Sequence, residues 1–275
     1  MARMRPTLLF LTNPNNGDSE EDFWLIRHLS KHFRMIVRHP LKCSTLLHSV
    51  DGVIIRNIWP THEYLTEWEE LKTHLREANI RTYNPLTYQG DIEGKDYLVV
   101  LSEAGFPVIP SVDRVDEIFK LPTTEEFWIK PKHSCDGFGS RKITRTELLS
   151  QKLENYIIQP FLEFESEPSF FFVDNRFHHA ISAKHRIFDD KVTTYTASED
   201  DLVFAKQFVE WSAMPFGVQR IDAIRLENGC LLLTEIENLC PYLYLMDIDA
   251  TLRLSFANKL SESLLTLFSS IQAVS

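Results

Sequence analysis

Near the C-terminal end, two stretches place an arginine and three carboxylates at matched spacing: Arg220 and Asp222 in VQRIDAIRL, then Glu235 and Glu237 in LLLTEIENLC. A strand turns successive side chains to opposite faces, so Arg220 shares a face with Asp222, and Glu235 shares one with Glu237. The turn residues Glu227, Asn228 and Gly229 lie between the stretches, and Asn-Gly is a strong hairpin dipeptide. A hairpin closed there brings the carboxylates together. Buried side by side they repel and are costly to desolvate unless a cation lies among them. The simplest such cation is Mg²⁺, and a carboxylate-bound Mg²⁺ that keeps its waters usually also holds substrate phosphates. A solvent-exposed hairpin with its charges on the outer face is the competing reading of these residues.

A second set of residues suits phosphates. Phe127, Trp128 and Ile129 read as a strand running into Lys130, Pro131 and Lys132, followed by a loop with Ser134, Gly137 and Gly139. Glycines let backbone amides approach phosphates closely, and a lysine at a strand end neutralises them. The GxxxxGK[ST] order of a P-loop is absent. In IIQPFL, Gln159 and Pro160 interrupt an apolar strand, which must therefore break or lie at an edge. That segment is suited to present a Gln amide and free backbone groups to the polar edge of an adenine, or to link two lobes.

These residues need elements to position them. TLLFL reads as a first buried strand, because it is too short for the apolar region of a secretory signal and the turn residues from Asn13 to Gly17 break it. A helix is expected over Glu20 to His32, strands at Met35 to Val37 and Gly52 to Arg56, and an amphipathic helix over Tyr64 to Ala78. Strands alternating with helices indicate a parallel α/β sheet. A helix through Leu98 and Leu101 stops at Gly105. The last helix carries Leu252, Phe256, Leu260, Leu264 and Phe268 at four-residue spacing, the stripe of ordinary core packing. The expected division is 1–94, 95–156 and 157–275.

Composition narrows the functional classes. A net charge of −10 argues against a nucleic-acid surface, which needs clustered Lys and Arg. No run approaches the roughly 20 apolar residues of a membrane span. Cys43, Cys135, Cys230 and Cys240 lack metal or disulfide spacing, and the expected location is cytoplasmic.

Taken in order, GKDYLVVLSEAGFPVIPS, FWIKPKHSCDGFGS, YIIQPFLE, ESEPSFFFVDNRFHHAI, VQRIDAIRL and LLLTEIENLCPYLYL resemble segments of the ATP-grasp superfamily. The likeness is to the glutathione-synthetase-like and D-alanine–D-alanine-ligase-like carboxylate–amine ligases, and within them to small enzymes of the cycloserine-synthetase type. It implies an α/β pre-ATP-grasp lobe followed by two α+β lobes that clamp ATP, and an ADP-forming ligase that makes C–N bonds through an acyl phosphate. The substrates it implies are a small amino-acid-like carboxylate and an amine, with neither nucleic acid nor membrane as partner; a homodimer is left open.

The resemblance also implies site roles. Lys95 and Lys130 contact the nucleotide phosphates, Gln159 with the backbone of Phe161 and Leu162 forms the adenine hinge, and Glu167 binds the ribose. Asp222, Glu235 and Glu237 hold magnesium, two ions with Mn²⁺ able to substitute, although many relatives have Asn at the position of Glu237. Asn238 is a candidate auxiliary ligand that strand geometry points the other way. Arg220 steadies the reacting acyl phosphate, and the loop from Ser134 to Ser140 serves as the lid that excludes water.

Arg56, Asn57 and Trp59 end a strand of the first lobe, where open α/β sheets bind ligands, and with Ser134 and Arg186 they are substrate candidates. A packed Trp59 and a solvated Arg56 are the bland alternative. His178 and His179 lack a third ligand at metal spacing and read as structural. Lys184, His185 and Arg186 form a basic cluster that reaches substrate or phosphates, or else a solvated charge run. Two other functions compete with the ligase: a phosphotransferase acting on a non-carboxylate acceptor, and a nucleotide-binding regulatory module without turnover. Retention of every charged position speaks against the latter.

Overall fold

A computed structural model describes residues 5–15, 19–134, 137–184 and 191–269. The first sheet comprises β1 (Thr7–Leu11), β2 (Arg34–Arg38), β3 (Gly52–Ile55) and β4 (Thr82–Tyr83), all parallel, in the order β2-β1-β3-β4. Parallel neighbours need crossovers. Helices α1 (Ser19–Leu29) and α2 (Leu65–Glu77) supply two of them. Leu8, Leu9, Phe10 and Leu11 are all fully buried, as expected of a parallel strand covered on both faces. Leu8 and Phe10 face Leu25 and Leu29 of α1, while Leu9 and Leu11 face Trp68 and Leu75 of α2. Helix α1 ends at Leu29 rather than His32.

The second sheet is small and antiparallel: β5 (Glu126–Pro131), β6 (Arg141–Thr144) and β7 (Tyr156–Pro160), in the order β6-β5-β7. Helix α4 (Arg145–Ser150) follows β6 through a capping box in which Thr144 and Glu147 exchange side-chain bonds with each other's backbone N–H. Strand β7 is an edge strand ending at Pro160, where the missing donor costs no ladder bond. The expected boundary after residue 156 cuts this strand, so the small sheet continues through Pro160.

The third sheet is antiparallel, β10-β9-β8-β11-β12, built from β8 (Glu167–Val173), β9 (Arg176–Ala183), β10 (Thr193–Tyr195), β11 (Val218–Arg225) and β12 (Leu231–Glu237). Helix α5 (Glu199–Ser212) buries Phe204, Ala205 and Phe208 against it. Two helices pack outside the lobes in which the sequence places them. Helix α3 (Tyr97–Glu103) buries Tyr97, Leu98 and Leu101 against Phe170, Phe172 and Ile221 of the large sheet rather than against the small one. Helix α6 (Ala250–Ser269) returns its Phe256, Leu260, Leu264 and Phe268 stripe to α1 and the first sheet. The fold is thus mixed: a parallel α/β lobe and two antiparallel lobes, tied together by shared cores.

Candidate functional site

The β11–β12 hairpin closes where expected, with Leu226 N–H donating to the Cys230 carbonyl and Gly229 at φ 83°. Arg220 lies opposite Glu237 and Asp222 opposite Glu235, and a bulge beyond Asp222 absorbs the extra residue Thr234. The four side chains therefore meet on one face. The competing reading, an exposed hairpin, fails: Arg220 and Asp222 are each 4% exposed.

The cations among these carboxylates are those of the protein itself. Arg220 donates Nε to Asp222 Oδ1 at 3.0 Å and Nη2 to Oδ2 at 2.9 Å, reaches Glu237 through Nη2, and gives Nη1 to the Tyr242 carbonyl at 2.7 Å. Burial opposes its charge, but Asp222 and Glu237 outweigh burial and raise its pKa far above the ordinary value. Asp222 also accepts from Ser169 Oγ at 2.5 Å. Glu235 lies 3.4 Å from Lys130 Nζ and 3.7 Å from Lys95 Nζ. Burial pushes its pKa up, and the two lysines more than reverse that, leaving it lowered. Lys130 shifts down, first through burial and then through Lys95, with Glu235 pulling the other way. Among the described residues no group of three His, Cys, Asp or Glu is gathered at metal-binding distance, so taking up a divalent cation here means exchanging these ion pairs.

Two cavities share Glu235 and Glu237 as a partition. The larger, of about 590 Å³, is of the size that holds a small-molecule ligand or cofactor. It brings together Lys130, Gln159, Phe161, Leu162, Glu167 and Arg220 with the three carboxylates, so it gathers every expected nucleotide and metal residue except Lys95. Gln159 donates Nε2 to Ser111 Oγ at 2.9 Å, while its buried Oε1 has no partner among the described residues. Ile109 and Trp128, missed in the sequence, add apolar wall, and Tyr244 lies under the Arg220 guanidinium, 5.4 Å from ring centre to Cζ.

The smaller cavity, of about 100 Å³, is lined by Arg56, Asn57, Trp59, Lys95 and Ser134, together with Asp91, which the sequence reading did not single out. Lys95 donates to the Ser134 carbonyl. Arg56 is not solvated: it is 6% exposed, and Nη2 binds Glu21 at 2.6 Å, Nε binds Asp22 at 3.3 Å and Nη1 binds the Pro241 carbonyl at 2.5 Å. Trp59 meets the β5–β6 loop. Phe138, in the β5–β6 loop, stacks on His62 at 4.8 Å and meets Trp59 edge-on at 5.8 Å.

Some expected residues lie elsewhere. A bulge in β9 leaves His178 without an opposite number on β8, so its ring meets that of His179, with the two Nδ1 atoms 2.9 Å apart. His179 stacks on Phe171 at 4.4 Å, and burial with His178 beside it lowers its pKa to about 3, which makes the pair structural. Asn238 turns away from the carboxylates and donates to the Gln89 carbonyl. Lys184 is exposed, and His185 and Arg186 lie outside the described residues.

No protein-family model and no curated protein matches the sequence. Solved structures do. D-cycloserine synthetase DcsG aligns with TM-score 0.75 and 21% identity over 94% of this chain and 99% of its own. D-alanine–D-alanine ligase from Bacillus anthracis, complexed with ATP, aligns with TM-score 0.67 and 12% identity over 96% of this chain and 99% of its own. The ATP-grasp ligase PsnB, complexed with a phosphomimetic variant of its minimal precursor, Mg and ADP, gives TM-score 0.62 and 13% identity over 94% and 100%. The chain has the ATP-grasp fold. At these identities the likeness is one of fold. Within this ATP-grasp fold the larger cavity lies between the small sheet, which contributes Trp128, Lys130 and Gln159, and the large sheet, which contributes Asp222 and Glu235. Among the described residues no helix is long and apolar enough to cross a membrane.

Proposed function

We propose that the protein is an ADP-forming, magnesium-dependent carboxylate–amine ligase that activates a small amino-acid-like carboxylate as an acyl phosphate. One observation carries the reading: the carboxylates Glu235 and Glu237 stand between a nucleotide-sized cavity and a second, smaller one. A phosphoryl group leaving the first cavity thus meets its acceptor at that partition.

Each residue has a role that follows from its surroundings. The unpartnered Gln159 Oε1 is placed to accept from the adenine amino group, and Phe161 and Leu162 to offer backbone groups beside it. Glu167, in the same wall, suits the ribose hydroxyls. Lys130 and Lys95 flank Glu235 and neutralise transferred phosphoryl oxygens without reorganising at the moment of reaction. The planar fork of Arg220 holds two oxygens at once, which suits an acyl phosphate. Asp222, Glu235 and Glu237 are the hard oxygen donors that magnesium takes, and they are the residues that would hold it, as two ions with Mn²⁺ able to replace them. A bound divalent ion supplies further charge neutralisation on the phosphate oxygens. Phe138, resting on Trp59 and His62, closes the lid over the smaller cavity and keeps water from an acyl phosphate.

The test is to incubate the protein with ATP, Mg²⁺ and pooled amino acids while following ADP, phosphate and new masses. A product formed by loss of water between two components, one for each ADP, is expected. A phosphorylated acceptor as the final product would instead make the protein a phosphotransferase.

A further inference from the structure

The smaller cavity contains one carboxylate for which no ion pair is formed among the described residues. Six other charged residues line it, and each has a protein partner. Arg56 is held by Glu21 and Asp22, Lys132 by Asp96 and Asp113, and Glu69 by Lys72. Lys95 and Glu235 pair with each other, and Glu237 pairs with Arg220. Asp91 is left over: no Lys or Arg forms an ion pair with it among the described residues. Its Oδ1 accepts from the backbone N–H of Asn238 at 3.0 Å and of Leu239 at 2.7 Å, and no described hydrogen bond uses Oδ2.

The turn that carries Asp91 is fixed. Gly90 at φ 142° and Gly94 at φ 93° bracket it in conformations that L residues rarely adopt. A Cβ on Gly90 would lie 2.2 Å from the Asn238 amide, and one on Gly94 would lie 2.9 Å from the His133 ring. The carboxylate is therefore tied, by its turn and by two backbone amides, to the chain immediately after Glu237. Burial pushes its pKa up to about 6, with those amides and Lys95 opposing the rise. That is the mark of a carboxylate whose desolvation the fold compensates only in part.

We propose that Asp91 binds the amine substrate, and that the small cavity takes a compact primary amine as its ammonium ion. This rests on the ligase reading for the purpose of the cavity. An ammonium supplies the ion pair that Asp91 does not make among the described residues, and Trp59 and Trp68 in the same wall add aromatic surface, which favours a cation over an anion. Away from the partition the Lys and Arg side chains lining the cavity are ion-paired among the described residues, so a substrate carboxylate belongs at the partition itself, where Lys95, Lys130 and Arg220 converge on Glu235 and Glu237, and the amine belongs beside Asp91. The volume, about 100 Å³, restricts the occupant to a few water-sized groups.

The experiment titrates methylamine and alaninamide as cations, and acetate as an anion, into the protein free and loaded with Mg²⁺ and a non-hydrolysable ATP analogue. Tryptophan fluorescence follows binding, since Trp59 and Trp68 line the cavity. The cations are expected to saturate the signal and acetate not to. Asp91→Asn keeps an acceptor for the two backbone amides and removes the charge, so it should weaken cation binding about ten- to a hundredfold with nucleotide affinity unchanged. Preferential acetate binding, absence of cation binding, or wild-type cation affinity in Asp91→Asn would overturn the proposal. Should the variant fail to fold, the cation-against-anion comparison on the wild-type protein decides alone. Nucleotide binding is read in the same samples: its absence in the wild type refutes the ligase reading, whereas normal nucleotide binding without a preference for cations refutes only the role of Asp91.

Discussion

Arg220→Lys separates a ligase from a protein that only binds nucleotide. The guanidinium serves four acceptors: both oxygens of Asp222, Glu237, and the Tyr242 carbonyl. A lysine ammonium keeps the charge and has three donors, but it lacks the planar fork and the second arm that reaches Tyr242. At least one charge-assisted bond is lost, worth about 1.5–3 kcal/mol, and a fall in melting temperature should report it. No described hydrogen bond, ion pair or ring contact joins Arg220 to Gln159, Phe161 or Leu162, the residues proposed to hold the adenine, so affinity for a non-hydrolysable ATP analogue should change less than about threefold, equivalent to under about 0.7 kcal/mol. Amide formation should fall by about a hundredfold or more, the usual loss when one oriented donor to transition-state charge is removed. Calorimetric titration of the analogue and coupled ADP release are the assays. Equal loss of nucleotide affinity and turnover would place Arg220 on the ground state of the nucleotide and refute the reasoning.

Other substitutions probe the remaining parts. Glu235→Gln leaves two buried lysines facing each other across a neutral group, so ADP release should fall by about a hundredfold or more; wild-type turnover would remove Glu235 from the machinery. Phe138→Ala deletes ring contacts with Trp59 and His62 worth about 1 kcal/mol, which makes the open lid about fivefold more populated. The ratio of ADP to amide should rise accordingly, and an unchanged ratio would deny the lid its role. For Asp91, a folded value of about 6 against the ordinary 3.8 means the folded state binds the extra proton between those values, so this residue's contribution to stability is lost as pH rises through about 4 to 6. Asp91→Asn should therefore melt above wild type at pH 8, by at most about 3 kcal/mol and less to the extent that cavity water solvates the carboxylate, with the difference closing near pH 4. A variant less stable at pH 8 would show that the charge supports the fold.

The parts of the site most legible in the sequence are those governed by local rules. Period-two spacing and an Asn-Gly turn put Arg220, Asp222, Glu235 and Glu237 on one hairpin face, and Pro160 marked an edge strand. What balances those carboxylates was not legible. Lys95 and Lys130 reach Glu235 from more than a hundred residues away in the chain, and Arg220, which the motif assigns to substrate, also neutralises Asp222 and Glu237. The stripes of α3 and α6 showed that these helices are buried without showing against what, because an apolar face does not name its partner. The solvated Arg56 that the sequence allowed is instead buried among Glu21, Asp22 and the Pro241 carbonyl, partners that no local pattern announces. Asp91 was missed for the same reason: its meaning depends on amides at positions 238 and 239, and the one local signal was its place between Gly90 and Gly94.

The central claim is phosphoryl transfer from ATP to a carboxylate at the partition formed by Glu235 and Glu237. The most direct measurement is ³¹P NMR of the reaction mixture with ATP, Mg²⁺ and pooled amino acids, with carboxylate oxygens labelled with ¹⁸O. The account predicts ADP and inorganic phosphate in equal amounts, the phosphate carrying one labelled oxygen from the carboxylate. AMP with pyrophosphate, or phosphate free of label, would contradict it.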